Sequence, residues 1–373
     1  MNNSGYITNK AQLIDAIDFA KYSHGKISLV AQGGGQRGIF TSGVLDAFLL
    51  SNFDPFDEFY GTSAGALNVC GYLCRQPGLG KAFIVDLTTS SHFFNLFSYI
   101  RKKQFMDLNW ALDSITNYPY KLDLDLGHRV LGKRKAFAAV TDANHFSDHY
   151  LSMLKPNWYD VMLATCAIPR LYDGEVSIAG RNYVDGGVSA SIPVQEAWRR
   201  GSRSIIVIRT EPIAVLSDEK SDSITLNRQP QESTLLTDQW QMKLDQWRDN
   251  WSDFIQEKWS QVKYQESDKK KLTRLNGGRW LFGADDIYRL GHLFGDSFDA
   301  SLADMLMVHY QTYSLTLDFL AKPPDDVFVL QIAPDEPLKS TSLLSDEDEL
   351  IFDYEQGLIA GYRFVDWYTK NVE

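Results

Sequence analysis

The sequence predicts an α/β domain: a mostly parallel central sheet flanked by helices, with one helical insertion. Two observations carry the prediction. Short apolar runs of strand length alternate with helix-period segments through residues 27–210, the rhythm of βαβ units. That alternation breaks near residue 213 and returns only at 327–332. The chain has 373 residues, enough for one large core covered on both sheet faces. The expected organisation is therefore a single domain over 1–373, with an insertion or lid at about 213–300 and a helix–strand–helix end at about 301–370.

The elements follow in order. Leu13, Ile14 and Ile17 sit at helical spacing in 11–22. ISLVAQ, residues 27–32, is a buried strand by its length and its glycine flank. Residues 38–50 (GIFTSGVLDAFLL) form a helix, 57–60 a strand and 64–75 a helix. The stretch 81–125 is mostly helical and aromatic. A strand at 136–140 precedes a helix at 158–167 that Pro169 stops. Residues 175–184 form a hairpin turning near Gly180, 193–200 a helix and 204–209 a second apolar strand. After the insertion come a helix at 301–321, the strand VFVLQI at 327–332 and a closing helix near 352–370.

Composition narrows the function. The formal net charge is −11, which disfavours nucleic acid as a partner and weakens attraction to anionic lipid. Cys70, Cys74 and Cys166 have no framework spacing and no accompanying ligand cluster, so they are expected as small buried side chains. His145 and His149, four apart without a third ligand, fit a solvated loop or hairpin, and no metal site is expected. The N-terminus MNNSGYITNK lacks a basic segment followed by an apolar one, and no apolar run reaches spanning length. The expectation is a cytoplasmic protein whose membrane contact, if any, is transient and at the surface.

Three motifs carry chemistry. Gly61-Thr62-Ser63-Ala64-Gly65 matches G-x-S-x-G between a strand and a helix, the setting in which a sharp turn exposes a serine Oγ and the next N–H, that of Ala64, faces a developing oxyanion. Gly33-Gly34-Gly35-Gln36-Arg37-Gly38 follows the first strand, and its glycines let backbone N–H groups converge on an anionic oxygen. Arg37 is expected to pin this loop or add positive charge. The same letters satisfy G-x-G-x-x-G, so a dinucleotide-binding module is the rival from another class, with Asp54, Asp57 or Glu58 as its acidic residue. The third motif is Asp185-Gly186-Gly187. A serine nucleophile needs a base. Of seven histidines none sits in a glycine-flanked turn resembling a catalytic loop, whereas Asp185 does. An aspartate touching the serine can serve as that base if its pKa is raised. A histidine base at His292 or His309 stays open, and substitution of either should leave activity largely intact if Asp185 is the base.

In this order the three motifs resemble the patatin-like phospholipase family, whose pattern is G-G-G-x-R-G, G-x-S-x-G and D-G-A/G; here the last reads D-G-G. Ala167-Ile168-Pro169 is similar to the family's A-x-P segment. The resemblance implies the patatin-like α/β hydrolase fold and a Ser–Asp dyad: Ser63 as nucleophile, Asp185 as proton acceptor. It also implies an oxyanion hole at Gly33, Gly34 and Gly35, with Arg37 and Ala64 in support. Gly38, Gly61, Gly65, Gly186 and Gly187 complete the motifs. The implied function is hydrolysis of lipid acyl esters, of phospholipase A or lysophospholipase type, through an acyl-enzyme and without cofactor or metal. An esterase or acyltransferase using the same dyad is the alternative.

Two segments remain. Trp240, Trp247, Trp251 and Trp259 join Leu244, Phe254, Ile255 and Val262 in one apolar stripe. An interfacial helix carries excess Lys/Arg on its polar face. Residues 238–263 lack that excess, which favours a packed helix over a membrane contact. Asp346-Glu347-Asp348-Glu349 fits a solvated acidic turn.

Overall fold

A computed structural model describes residues 3–93, 106–213 and 300–372. The insertion at 213–300, its tryptophan stripe and His292 lie outside the described residues.

Among the described residues ten strands form one sheet in the order β2-β1-β10-β9-β3-β4-β5-β8-β7, with β6 also on β5. They are β1 Ser4–Ile7, β2 Gln12–Leu13, β3 Lys26–Ala31, β4 Glu58–Thr62, β5 Lys135–Asp142, β6 Asp148–Ser152, β7 Val176–Ile178, β8 Arg181–Asp185, β9 Ser202–Ile208 and β10 Phe328–Ile332. From β1 through β10, β9, β3 and β4 to β5 all pairings are parallel; β2, β6, β7 and β8 add antiparallel edges. The parallel centre explains its sequence: β3, β4, β9 and β10 are buried almost throughout, so both faces must be apolar.

The helix Gly38–Leu50 is buried from Gly38 to Phe48 because the sheet lies on one side and the closing helix Glu347–Asn371 on the other. A Cβ on Gly43 would overlap the Tyr354 carbonyl oxygen and one on Gly357 the Phe40 carbonyl, so only glycine allows the two backbones this approach. Beyond that crossing Phe48, Phe53, Phe56, Phe364 and Tyr368 form an edge-to-face and tilted aromatic cluster.

Several local expectations are corrected. The first helix runs only Ala16–Tyr22, capped by Asp15; Leu13 and Ile17 are exposed, and Phe19 anchors it. The acidic run is no turn. Asp346 is the N-cap of the closing helix and forms a reciprocal capping box with Glu349, which places carboxylates at the positive end of the helix dipole. Cys70, Cys74 and Cys166 are buried free thiols. His145 sits in a turn with its Nδ1 3.1 Å from Asp142 Oδ1, and His149 lies on β6. Among the described residues, no helix is long and apolar enough to cross a membrane.

Candidate active site

The sheet register brings the serine and the aspartate together. β4 pairs with one edge of β5 as far as Thr62 opposite Ala139. The next residue of β5, Val140, pairs with Asp185 of β8 on that edge, since His149 of β6 occupies its other one. Ser63 leaves the end of β4 at the place where Asp185 arrives. The serine Oγ donates to Asp185 Oδ2 at 2.8 Å.

Ser63 has φ 52° and ψ −126°, a region that non-glycine residues rarely occupy. Its N–H donates to Thr165 Oγ1 at 3.0 Å, and that hydroxyl in turn donates to the Ala139 carbonyl at 2.6 Å. Thr165 thus fastens the strained turn to β5. The helix Ala64–Leu73 starts directly after Ser63, so its positive end faces that serine.

Asp185 is fully buried. Its Oδ1 accepts the Gly187 N–H at 2.6 Å, its own N–H donates to the Ala167 carbonyl at 2.9 Å, and Thr141 Oγ1 donates to its carbonyl at 2.8 Å. Burial pushes its pKa up to about 7, against the pull of the Gly187 N–H and the Ser63 hydroxyl toward the charged form. A carboxylate tuned there holds a proton weakly enough to release it and strongly enough to take it.

The glycine loop follows β3, the parallel neighbour of β4, so both loops leave the carboxyl ends of adjacent strands. Gly35 has φ +57°, and a Cβ there would overlap the Ser342 carbonyl oxygen. One expected role is corrected. The Gly33 N–H donates to the Ser191 carbonyl at 3.0 Å and is not free for an oxyanion. Arg37 is buried with its guanidinium 3.3 Å from Glu211 Oε1, so it fastens the loop to the segment after β9. Within the described residues no backbone carbonyl takes the N–H groups of Gly34, Gly35 or Ala64.

The acidic residues that a dinucleotide site would need lie elsewhere. Asp54 pairs with Arg75 and Arg134, Asp57 accepts the Ile27 N–H at 2.8 Å, and Glu58 binds Lys26 and Tyr60. All are at or before the start of β4, the opposite end from the glycine loop.

Ala64 also lines a small apolar recess, with Leu67, Leu79, Phe83, Ile84 and Leu122 in its wall. Asn68 reaches it too, but its amide donates to the Gly38 carbonyl at 2.8 Å and accepts from Ser42 at 2.6 Å, which leaves no unmet polarity.

His309, weighed as a base, is buried on the helix Ala300–Ala321, and its Nδ1 lies 2.7 Å from the Gly187 carbonyl oxygen. Sequence reasoning missed Thr165, Thr141, Ser191 and Glu211. They are ordinary polar residues, and only the three-dimensional fold gives them a partner.

A family model described as Patatin-like phospholipase matches residues 29–198. A second, a domain of unknown function (DUF6363), matches residues 299–372. The chain is 31% identical over 353 residues to the uncharacterized protein YjjU of Escherichia coli (strain K12), spanning 94% of this chain and 80% of that protein. The crystal structure of VipD from Legionella pneumophila aligns with 92% of this chain and 67% of that one, at 12% identity and a TM-score of 0.34, too distant a likeness to bear on function.

Proposed function

The chain belongs to the patatin-like phospholipase family and is in general terms a lipid acyl hydrolase, and on that premise we propose that it works through a Ser63–Asp185 dyad on phospholipid or lysophospholipid acyl esters. The observation that carries the proposal is the 2.8 Å hydrogen bond from Ser63 Oγ to a buried Asp185. In the first half-reaction Oγ attacks the ester carbonyl carbon while Asp185 Oδ2 takes its proton. The tetrahedral oxyanion is met by the N–H groups of Gly34, Gly35 and Ala64; loss of one such donor typically costs about 10²–10³ in rate. Collapse expels the alcohol, which takes the proton from Asp185, and leaves an acyl-serine. In the second half, water gives its proton to Asp185 as it attacks, and the fatty acid leaves with Ser63 restored. No step calls on a metal or cofactor.

The test is hydrolysis of p-nitrophenyl acyl esters and a phospholipid panel by the wild type, Ser63→Ala and Asp185→Ala. Activity is expected in the wild type only, rising with pH through about 7 as Asp185 ionises. Equal activity in all three proteins would overturn the dyad.

A further inference from the structure

The aspartate's orientation depends on one peptide group. Gly187 donates its N–H to Asp185 Oδ1 at 2.6 Å, and its carbonyl oxygen lies 2.7 Å from His309 Nδ1. A carbonyl can only accept, so Nδ1 carries the hydrogen and His309 is the donor. The residue comes from far along the chain, on a helix within the segment 299–372. Four residues before it, Met305 packs with Val184 and Val188 on either side of the Asp-Gly-Gly turn. Four residues after it, Tyr313 stacks on the imidazole, with ring centroids 5.5 Å apart, and its hydroxyl donates to Glu211, the partner of Arg37 on the glycine loop. One helix face therefore touches the turn that carries the aspartate and the ion pair that fastens the glycine loop.

We propose that His309 is a positioning residue whose Nδ1–H clamps the Gly187 carbonyl, and so fixes the Gly187 N–H that orients Asp185 toward Ser63. The inference rests on the dyad reading above. It also assigns the histidine a role other than base: its ring nitrogen meets the peptide behind the aspartate, so its loss costs activity even with Asp185 as the base, where the sequence alone led us to expect little effect. Among the described residues, the titratable and charged groups that bear on it are Tyr310, Tyr313 and Arg37, with Glu211 bonded to Tyr313 and Asp185 beyond Gly187. Burial pushes its own pKa down to about 3, so it stays neutral through the working range and keeps one tautomer.

The test compares His309→Asn, His309→Gln and His309→Leu. An asparagine amide falls near the position of Nδ1, a glutamine amide near that of Nε2, and leucine supplies no donor. His309→Asn should keep kcat within about threefold. His309→Gln and His309→Leu should lose about tenfold or more in kcat with little change in KM, because a charge-assisted hydrogen bond to the base is weakened. In the latter two the acidic limb of the pH–rate profile should move up by about one pH unit, since the Gly187 N–H favours the carboxylate. If His309→Leu does not fold, the contrast of Asn with Gln decides. Equal kcat in those two, with an unmoved limb, would overturn the proposal. Carbon NMR titration of the Asp185 carboxyl reads the same shift without substrate. If the wild type cleaves none of the esters, the dyad reading fails while this titration still tests the clamp.

Discussion

Replacing Asp185 by asparagine should abolish hydrolysis and, at alkaline pH, make the protein more stable. The carboxyl is fully buried and its pKa stands at about 7 in place of the ordinary 3.8, a displacement equivalent to about 4 kcal/mol. An acid whose folded pKa exceeds its unfolded value holds its proton longer in the native state. Between about pH 4 and about pH 7 unfolding therefore releases a proton, and native stability declines as pH rises. Asparagine has no such ionisation. It keeps an oxygen for the Gly187 N–H and turns an amide N–H toward Ser63 Oγ, which can accept. The variant's stability relative to wild type should thus grow by about 2–3 kcal/mol between about pH 5 and about pH 8. Chemical denaturation of both proteins at the two pH values measures it. A gap that is constant, or that narrows toward high pH, would show that burial does not raise this carboxyl and would remove the argument for it as a base.

Other outcomes follow from the same geometry. Ser63→Gly should end ester cleavage yet raise stability by about 1 kcal/mol in thermal melts, because glycine adopts φ 52° without strain. Gly35→Ala should cost both stability and rate, at least about tenfold in kcat, since its Cβ would push the loop off Ser342 and move the oxyanion donors; unchanged kinetics would argue against that loop as donor. Arg37→Met should destabilise by about 3–5 kcal/mol in urea titrations by leaving the buried Glu211 carboxylate without its cation, and adding Glu211→Gln should recover part of the loss.

What the sequence reveals divides along physical lines. β3, β4, β5, β9 and β10 are legible because strands covered on both faces must be apolar. β1, β2 and β6 are not: SGYI, QL and DHYLS are short, mixed in polarity and near sheet edges, so pairing partners rather than composition decide them. The apolar spacing at 11–22 misleads because Leu13 and Ile17 face solvent while Asp15 starts the helix. The acidic run had a readable signal, carboxylates ahead of an apolar-periodic segment with Glu three after Asp, which marks a helix start. The Ser63–Asp185 pair is legible because a strained serine turn and a tight aspartate turn both demand glycine neighbours at fixed offsets. The supports are not. Thr165, Thr141 and His309 act through contacts 26 to 122 residues away, and nothing local marks a threonine or histidine for such a bond.

The place of β10 bears on how the chain is made. It lies between β1 and β9, in the interior of the sheet, yet synthesis reaches it only after more than 320 residues. Until then a nascent chain has β1 without its parallel neighbour and one side of β9 unpaired. Open edges of that kind invite pairing with other chains. Vectorial synthesis thus delivers all three motifs long before the sheet behind them can close. Ribosome-arrested chains that stop before Phe328 should stay protease-sensitive across residues 29–198, and resistance there would show that the N-terminal part closes by itself. By this logic the sheet that positions Ser63 closes only once its last strand has been made, so β10 sets the time at which that serine reaches its place.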